Sequence, residues 1–211
     1  MSARRSLRGA VLAIAALVPL SLAVAPPVSA ANDGTTSLAT VLKAGQAKFD
    51  KDFTDFDILT KAVETVLAAK PDSPVKVLAD GTVALTAFIP TDQAFINLAS
   101  ALTGKPVRTE AAAFAAVAGL GVNTVEQVLE YHVVPGSTIL SGDALKANGA
   151  KLKTALPGKV IRVKVTGAPA IILGDYNAKL PNPRVILDQV DINKGNKQVA
   201  HGIDAVLMPT K

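Results

Sequence analysis

TAFIPTDQAF, residues 86–95, carries an apolar extended run into a proline, then a hydroxyl and a carboxylate, then the start of a helical pattern. Pro90 has no amide to give a ladder, so the extended run ends there, and Thr91 or Asp92 is placed to accept from the free amides of a new helix. Phe88 and Phe95 flank the turn as apolar anchors, so the stretch predicts a strand turned into a helix at a set angle. That helix presents Ala94, Phe95, Leu98 and Leu102 on one side and stops at Gly104.

Working outward, TDFDILTKAVETVLAAK (54–70) has the Thr54 and Asp57 spacing of a capping box. Ile58, Leu59, Ala62, Val63, Val66 and Leu67 recur at helical period until Pro71. Ser37 is placed to cap a short helix over 38–48, preceded by a flexible leader. Residues 75–90 switch to a Val, Leu and Thr pattern broken by the hairpin dipeptide Asp80-Gly81. After residue 104, two further helical pieces open at Thr109 and Asn123. From Val133 on, short β runs at 138–140, 160–165, 171–173, 185–190 and 199–207 alternate with Gly, Pro and Asn turns. A helical first half and a strand-rich second half predict an α+β fold with antiparallel sheets.

Composition narrows the function classes. The chain of 211 residues has no cysteine, so disulfides, thiolate metal sites and cysteine nucleophiles are excluded. Residues 1–30 have the charged start, apolar run and small-residue end (Val28-Ser29-Ala30) of an export signal. Arg4-Arg5 leaves general and twin-arginine export both open. The formal charge is +5, and losing the three arginines of an acid-free signal leaves about +2. With aromatics at 4% and tryptophan absent, nucleic-acid binding is not expected. No later stretch reaches the length of a membrane span, so none is expected after signal cleavage. The predicted layout is a signal over 1–30, a leader and short helix over 31–52, one domain over 53–209 and a tail at 210–211.

Three motifs in order resemble the fasciclin domain family: TAFIPTDQAF (86–95), EYHVVPG (130–136) and DINKGNKQVAHGIDAVLMP (191–209). The resemblance implies helices packed on a wedge of short β-sheets, and an extracellular adhesion or interaction module without catalytic machinery. It implies a cell-surface or matrix protein, or a polysaccharide, as partner. Tyr131, His132, Asp191 and Ile192 match the family positions implicated in partner binding. Where the family commonly has a bulky aliphatic residue after the second-motif histidine, this chain has Gly202, with the small Ala200 before that histidine. Something nearby must fill that space, or it becomes a pocket for a small apolar or carbohydrate ligand, the alternative reading of function.

Read for their chemistry alone, the same residues have plainer roles. Tyr131, His132 and His201 can each fill a core edge while satisfying a buried backbone group. Asp191 reads as a solvated turn acid whose loss should leave stability unchanged, whereas loss of His132 should lower it. The chain has two histidines, no His-x-x-x-His and no Gly-x-Ser-x-Gly. Neither a metal site, zinc or other, nor a serine hydrolase is therefore expected, and no cofactor is. The Asn/Pro loop 174–184 carries no assignable ligand.

Overall fold

A computed structural model describes residues 33–45, 48–167 and 170–210. The export-signal reading falls on residues outside those described. Described residues from Asp33 onward belong to one compact unit, Ala31–Lys211. Its helices are α1 (Leu38–Ala44), α2 (Asp57–Ala69), α3 (Asp92–Thr103), α4 (Glu110–Ala118), α5 (Val122–Tyr131) and the short α6 (Ser141–Ala144). Its strands are β1 (Leu85–Pro90), β2 (Val133–Pro135), β3 (Lys151–Lys153), β4 (Val160–Thr166), β5 (Ala170–Gly174) and β6 (Gln198–Ile203).

The fold is α+β, and its two three-stranded sheets are ordered β2-β1-β6 and β3-β4-β5. The second sheet is antiparallel throughout. The first is mixed: β1 runs antiparallel to β2 but parallel to β6, with Phe88 opposite His201. Sequence patterning predicts only antiparallel pairing. The parallel pair arises because the chain between β1 and β6 passes through four helices and the whole second sheet, a crossover long enough for parallel strands. Both strands are buried along their full length, as central strands covered on both faces are.

Two hydrophobic clusters hold the unit together. Ile58, Leu59, Val63, Phe95, Leu98 and Leu129 join α2, α3 and α5 in one, with Leu38 of α1 at its edge. Phe88, Tyr131, Ile161, Val163, Leu173 and Ile203 form the other between the sheets. Leu102, placed on the α3 core face by its spacing, is 45% exposed, because the helix ends against solvent one residue later.

Other local expectations shift for identifiable reasons. Asp80-Gly81 closes no hairpin; residues before it form the 3-10 helix Pro74–Ala79, and Asp80 Oδ1 accepts from Thr82 N and Oγ1. Gly81 is required there because a Cβ would meet Thr35 O at 1.8 Å. Segments 138–140 and 185–190 form no strands, their backbone groups being met by side chains and isolated bridges. The leader is docked: Thr36 N donates to Asn196 Oδ1 and Leu38 N to the buried Gln198 Oε1. Among the described residues no single helix is long and apolar enough to cross a membrane.

Candidate interaction site

The turn after β1 does two jobs. Thr91 caps α3, its hydroxyl accepting from Ala94 N at 3.4 Å. Asp92 caps a different helix: its Oδ1 accepts from Ile58 N at 2.9 Å and its Oδ2 from Asp57 N at 3.2 Å. The expected Thr54 and Asp57 capping box is replaced, since Phe56 is the α2 cap residue and makes no side-chain bond. Asn123 likewise yields to Gly121, whose φ of 85° suits only glycine.

EYHVVPG lies where α5 runs into β2. Tyr131 is fully buried and its hydroxyl donates to Val160 O at 3.0 Å, linking α5 to the second sheet. Burial, with Asp175 and Tyr176 nearby, pushes its phenol far above the ordinary value. His132 is 4% exposed. Its Nδ1 lies 2.7 Å from Val128 O, and its Nε2 accepts from Leu207 N at 3.0 Å. That pair of bonds requires a neutral ring protonated on Nδ1. Burial lowers its pKa to about 4, against the opposing pull of Val128 O. Of the residues implied by the family resemblance, neither Tyr131 nor His132 faces solvent.

The second motif is built by the same means. His201 Nε2 lies 2.8 Å from Ile139 O, while its Nδ1 accepts from Asp191 N at 3.3 Å. Asp191 sits at φ 55°, in the left-handed region, and its two oxygens accept from Ser141 N and Ser141 Oγ at 2.7 and 2.8 Å. Its side chain is only 15% exposed and also pairs with Lys194 at 3.7 Å. Burial would raise its pKa, but the Ser141 donors, His201 and Lys194 outweigh that and hold it below the usual carboxylate range. Asp191 is therefore an anchor of Ser141, not a solvated turn acid. Ile192 pairs with Ala200 through two 3.0 Å backbone bonds, with its side chain against the helical core.

The room beside Gly202 is taken. A Cβ there would lie 2.6 Å from Gln189 Oε1 and 2.8 Å from Gln189 Cβ, so Gln189 fills the space the sequence leaves open. The void beside Phe88 and His201 is about 20 Å³, too small for any ligand. A larger cleft of about 250 Å³ opens elsewhere, between α3 and the 180–184 segment, edged by Asn97, Leu180, Asn182, Arg184 and Asp204. The loop leading to it is pinned by Asp175, whose Oδ2 accepts from Met208 N, and by Lys159 over the Tyr176 ring at 4.3 Å.

A family model for the fasciclin domain matches residues 54–209. The chain belongs to the fasciclin family. Fasciclin domains are generally adhesion or surface-interaction modules of extracellular and cell-surface proteins, typically non-catalytic. The fold is similar to that of a solved FAS1 domain pair from the insect cell adhesion molecule fasciclin I, with 17% identity and a TM-score of 0.55. The similarity covers 83% of this chain and 51% of that one, so the chain spans about half the length of that relative. No curated protein matches it closely enough to count as a relative.

Sequence reasoning missed two sets of residues in this fasciclin domain. Gln198, fully buried, accepts from Leu38 N and donates to Val77 O and Asp80 O, tying α1 and the 3-10 helix to β6. A lone glutamine in the apolar run QVAHGI was the available signal. Asp55, Asp92 and Glu110 converge at one corner, each offering a carboxylate oxygen within 4.8 Å of the others. The only trace of that corner in the sequence is the density of acids over 50–57.

Proposed function

We propose that this fasciclin domain is an exported, non-enzymatic adhesion or surface-interaction module. Its partner is a protein or polysaccharide of a cell surface or extracellular matrix. The observation that carries this reading is the use made of the motif side chains. Tyr131, His132, His201 and Asp191 each bond to backbone, so the motif side chains are used to hold the fold together. Tyr131, His132 and Asp191, together with Ile192 in its backbone pairing with Ala200, thus serve attachment by holding the surface in shape. The insect cell adhesion molecule with the similar fold supports the same class of role.

Cross-linking and pull-down of the purified protein on the producing cell's own surface and on host matrix tests this. Saturable retention on one of those surfaces is expected. Absence of retention on both, together with turnover of any substrate, overturns the reading. The α3 cleft favours a second reading, a binding module for a small apolar or carbohydrate ligand. Thermal shifts against lipid and glycan panels would reveal such a ligand by a rise in melting temperature abolished by Leu180→Arg, and a flat panel removes this second reading.

A further inference from the structure

We propose that the corner formed by Asp55, Asp92 and Glu110 is a binding site for one hard divalent cation, calcium by its chemistry. The three carboxylates come from separate parts of the chain: the loop before α2, the first residue of α3 and the first residue of α4. One oxygen from each lies within 4.8 Å of the other two. Asp92 is fully buried and Glu110 is 1% exposed. Glu110 Oε2 accepts from Asp50 N at 2.7 Å, but its Oε1 has no hydrogen-bond partner, and neither has the buried Asp55 Oδ1. Two buried, unpaired carboxylate oxygens in one place are costly unless something positive meets them.

No basic side chain among the described residues does so. Among the described residues, the ion pairs join Lys61 to Glu64, Lys70 to Glu126, Lys76 to Asp72 and Lys194 to Asp191, and none reaches this corner. The amides of Asp57 and Ile58 and the helix N-termini offset part of the charge on Asp92, yet they leave the other two oxygens unmet. Asp50 and Asp57 extend the cluster, since Asp50, Asp55 and Asp57 also bring oxygens within 4.8 Å of one another. Asp50 is exposed and Asp55 half-buried, so the cluster extends from the buried Glu110 toward solvent. An all-oxygen, carboxylate-rich and irregular donor set suits calcium, which takes six to eight oxygens and accepts water as well; nitrogen or sulfur donors for zinc or copper are lacking at the corner.

Calorimetric titration of the chelator-stripped protein with calcium chloride at neutral pH should give saturable one-to-one binding, and calcium should raise the melting temperature by several degrees. Glu110→Gln keeps an oxygen for Asp50 N and should weaken calcium binding at least tenfold, as should Asp55→Asn, while Asp72→Asn on the far surface should leave it unchanged. Should the variants fold poorly, amide shifts in the wild-type protein locate the ion, with Asp50, Asp57 and Ile58 moving first. Absence of calcium heat with identical melts in calcium and chelator overturns the site and means that protons neutralise the corner. Calcium binding that leaves those amides unmoved, or that both folded variants retain, overturns it too.

Discussion

His132 and Asp191 show how differently two residues from neighbouring motifs weigh on the fold. Replacing His132 by alanine removes the acceptor of Leu207 N and the donor to Val128 O in a site with almost no solvent. The expected loss is about 1–3 kcal/mol for the unpaired groups, with a cavity penalty on top. Thermal melts should fall by about 2–4 °C for each kcal/mol lost. Tyr131→Phe gives up only the bond to Val160 O and should cost about 1 kcal/mol. Asp191→Ala should cost about 1–2 kcal/mol by the same melts, contrary to what a solvated acid predicts, because Ser141 N and Oγ lose their partner. An unchanged Asp191→Ala melt would show that water replaces the carboxylate at no cost. Gly202→Ala should destabilise by about 1–3 kcal/mol through its clash with Gln189, and Gln189→Ala, which removes Oε1 but keeps the Cβ, should rescue only part of that in a double-mutant cycle.

At the scale of elements, the joints depend on single buried polar side chains. Gln198 fastens α1 and the 3-10 helix to β6 through its two ends. Gln198→Leu keeps the bulk but leaves Leu38 N, Val77 O and Asp80 O without their partner. Residues 33–45 should then become the first site of limited proteolysis, and amide exchange there should rise ahead of the rest. If protection at α1 matched the wild type, apolar packing of Leu38 and Leu42 alone would be holding that helix. The segment after β2 is fastened likewise: Thr86 Oγ1 donates to Ser137 O and accepts from Ile139 N, while His201 and Asp191 meet the next residues. Side chains doing the work of a ladder explain why residues 138–140 read as strand and are not one.

For the whole molecule, the buried histidines couple stability to pH. His132 has a folded pKa of about 4 against an ordinary 6.5, so the unfolded state binds the proton more readily. The contribution is complete above about pH 6.5 and is lost as pH falls toward 4, amounting to something on the order of 3 kcal/mol. His201 is shifted the same way by burial. Carboxyls raised by burial, Asp57 among them, act with the opposite sign. Denaturant titrations of wild type and His132→Ala at several pH values isolate the histidine, and their stability gap should narrow between pH 6.5 and 4. A gap that ignores pH would mean that the ring is not held neutral.

The sequence by itself determined where α2 to α5 run, because 3.6-residue periodicity is local, and among the caps Thr91 and Thr109 act where their spacing says, while Gly104 stops α3 at φ 67°. It also determined the family, through three motifs whose order is written in the chain. Tertiary structure alone decided the parallel pairing of β1 with β6, since the strand pattern of each is the same whichever way its neighbour runs. It alone decided that Asp92 caps α2, more than thirty residues back, instead of its own helix. The same holds for the candidate site. Residue type shows that Tyr131 and His132 have polar tips, but not which backbone groups await them, and Asp55, Asp92 and Glu110 meet only because the loop before α2 and the starts of α3 and α4 fold to one corner. Contacts between residues distant in sequence leave no period to read, so burial, charge and partner for these groups exist only once the chain has closed on itself.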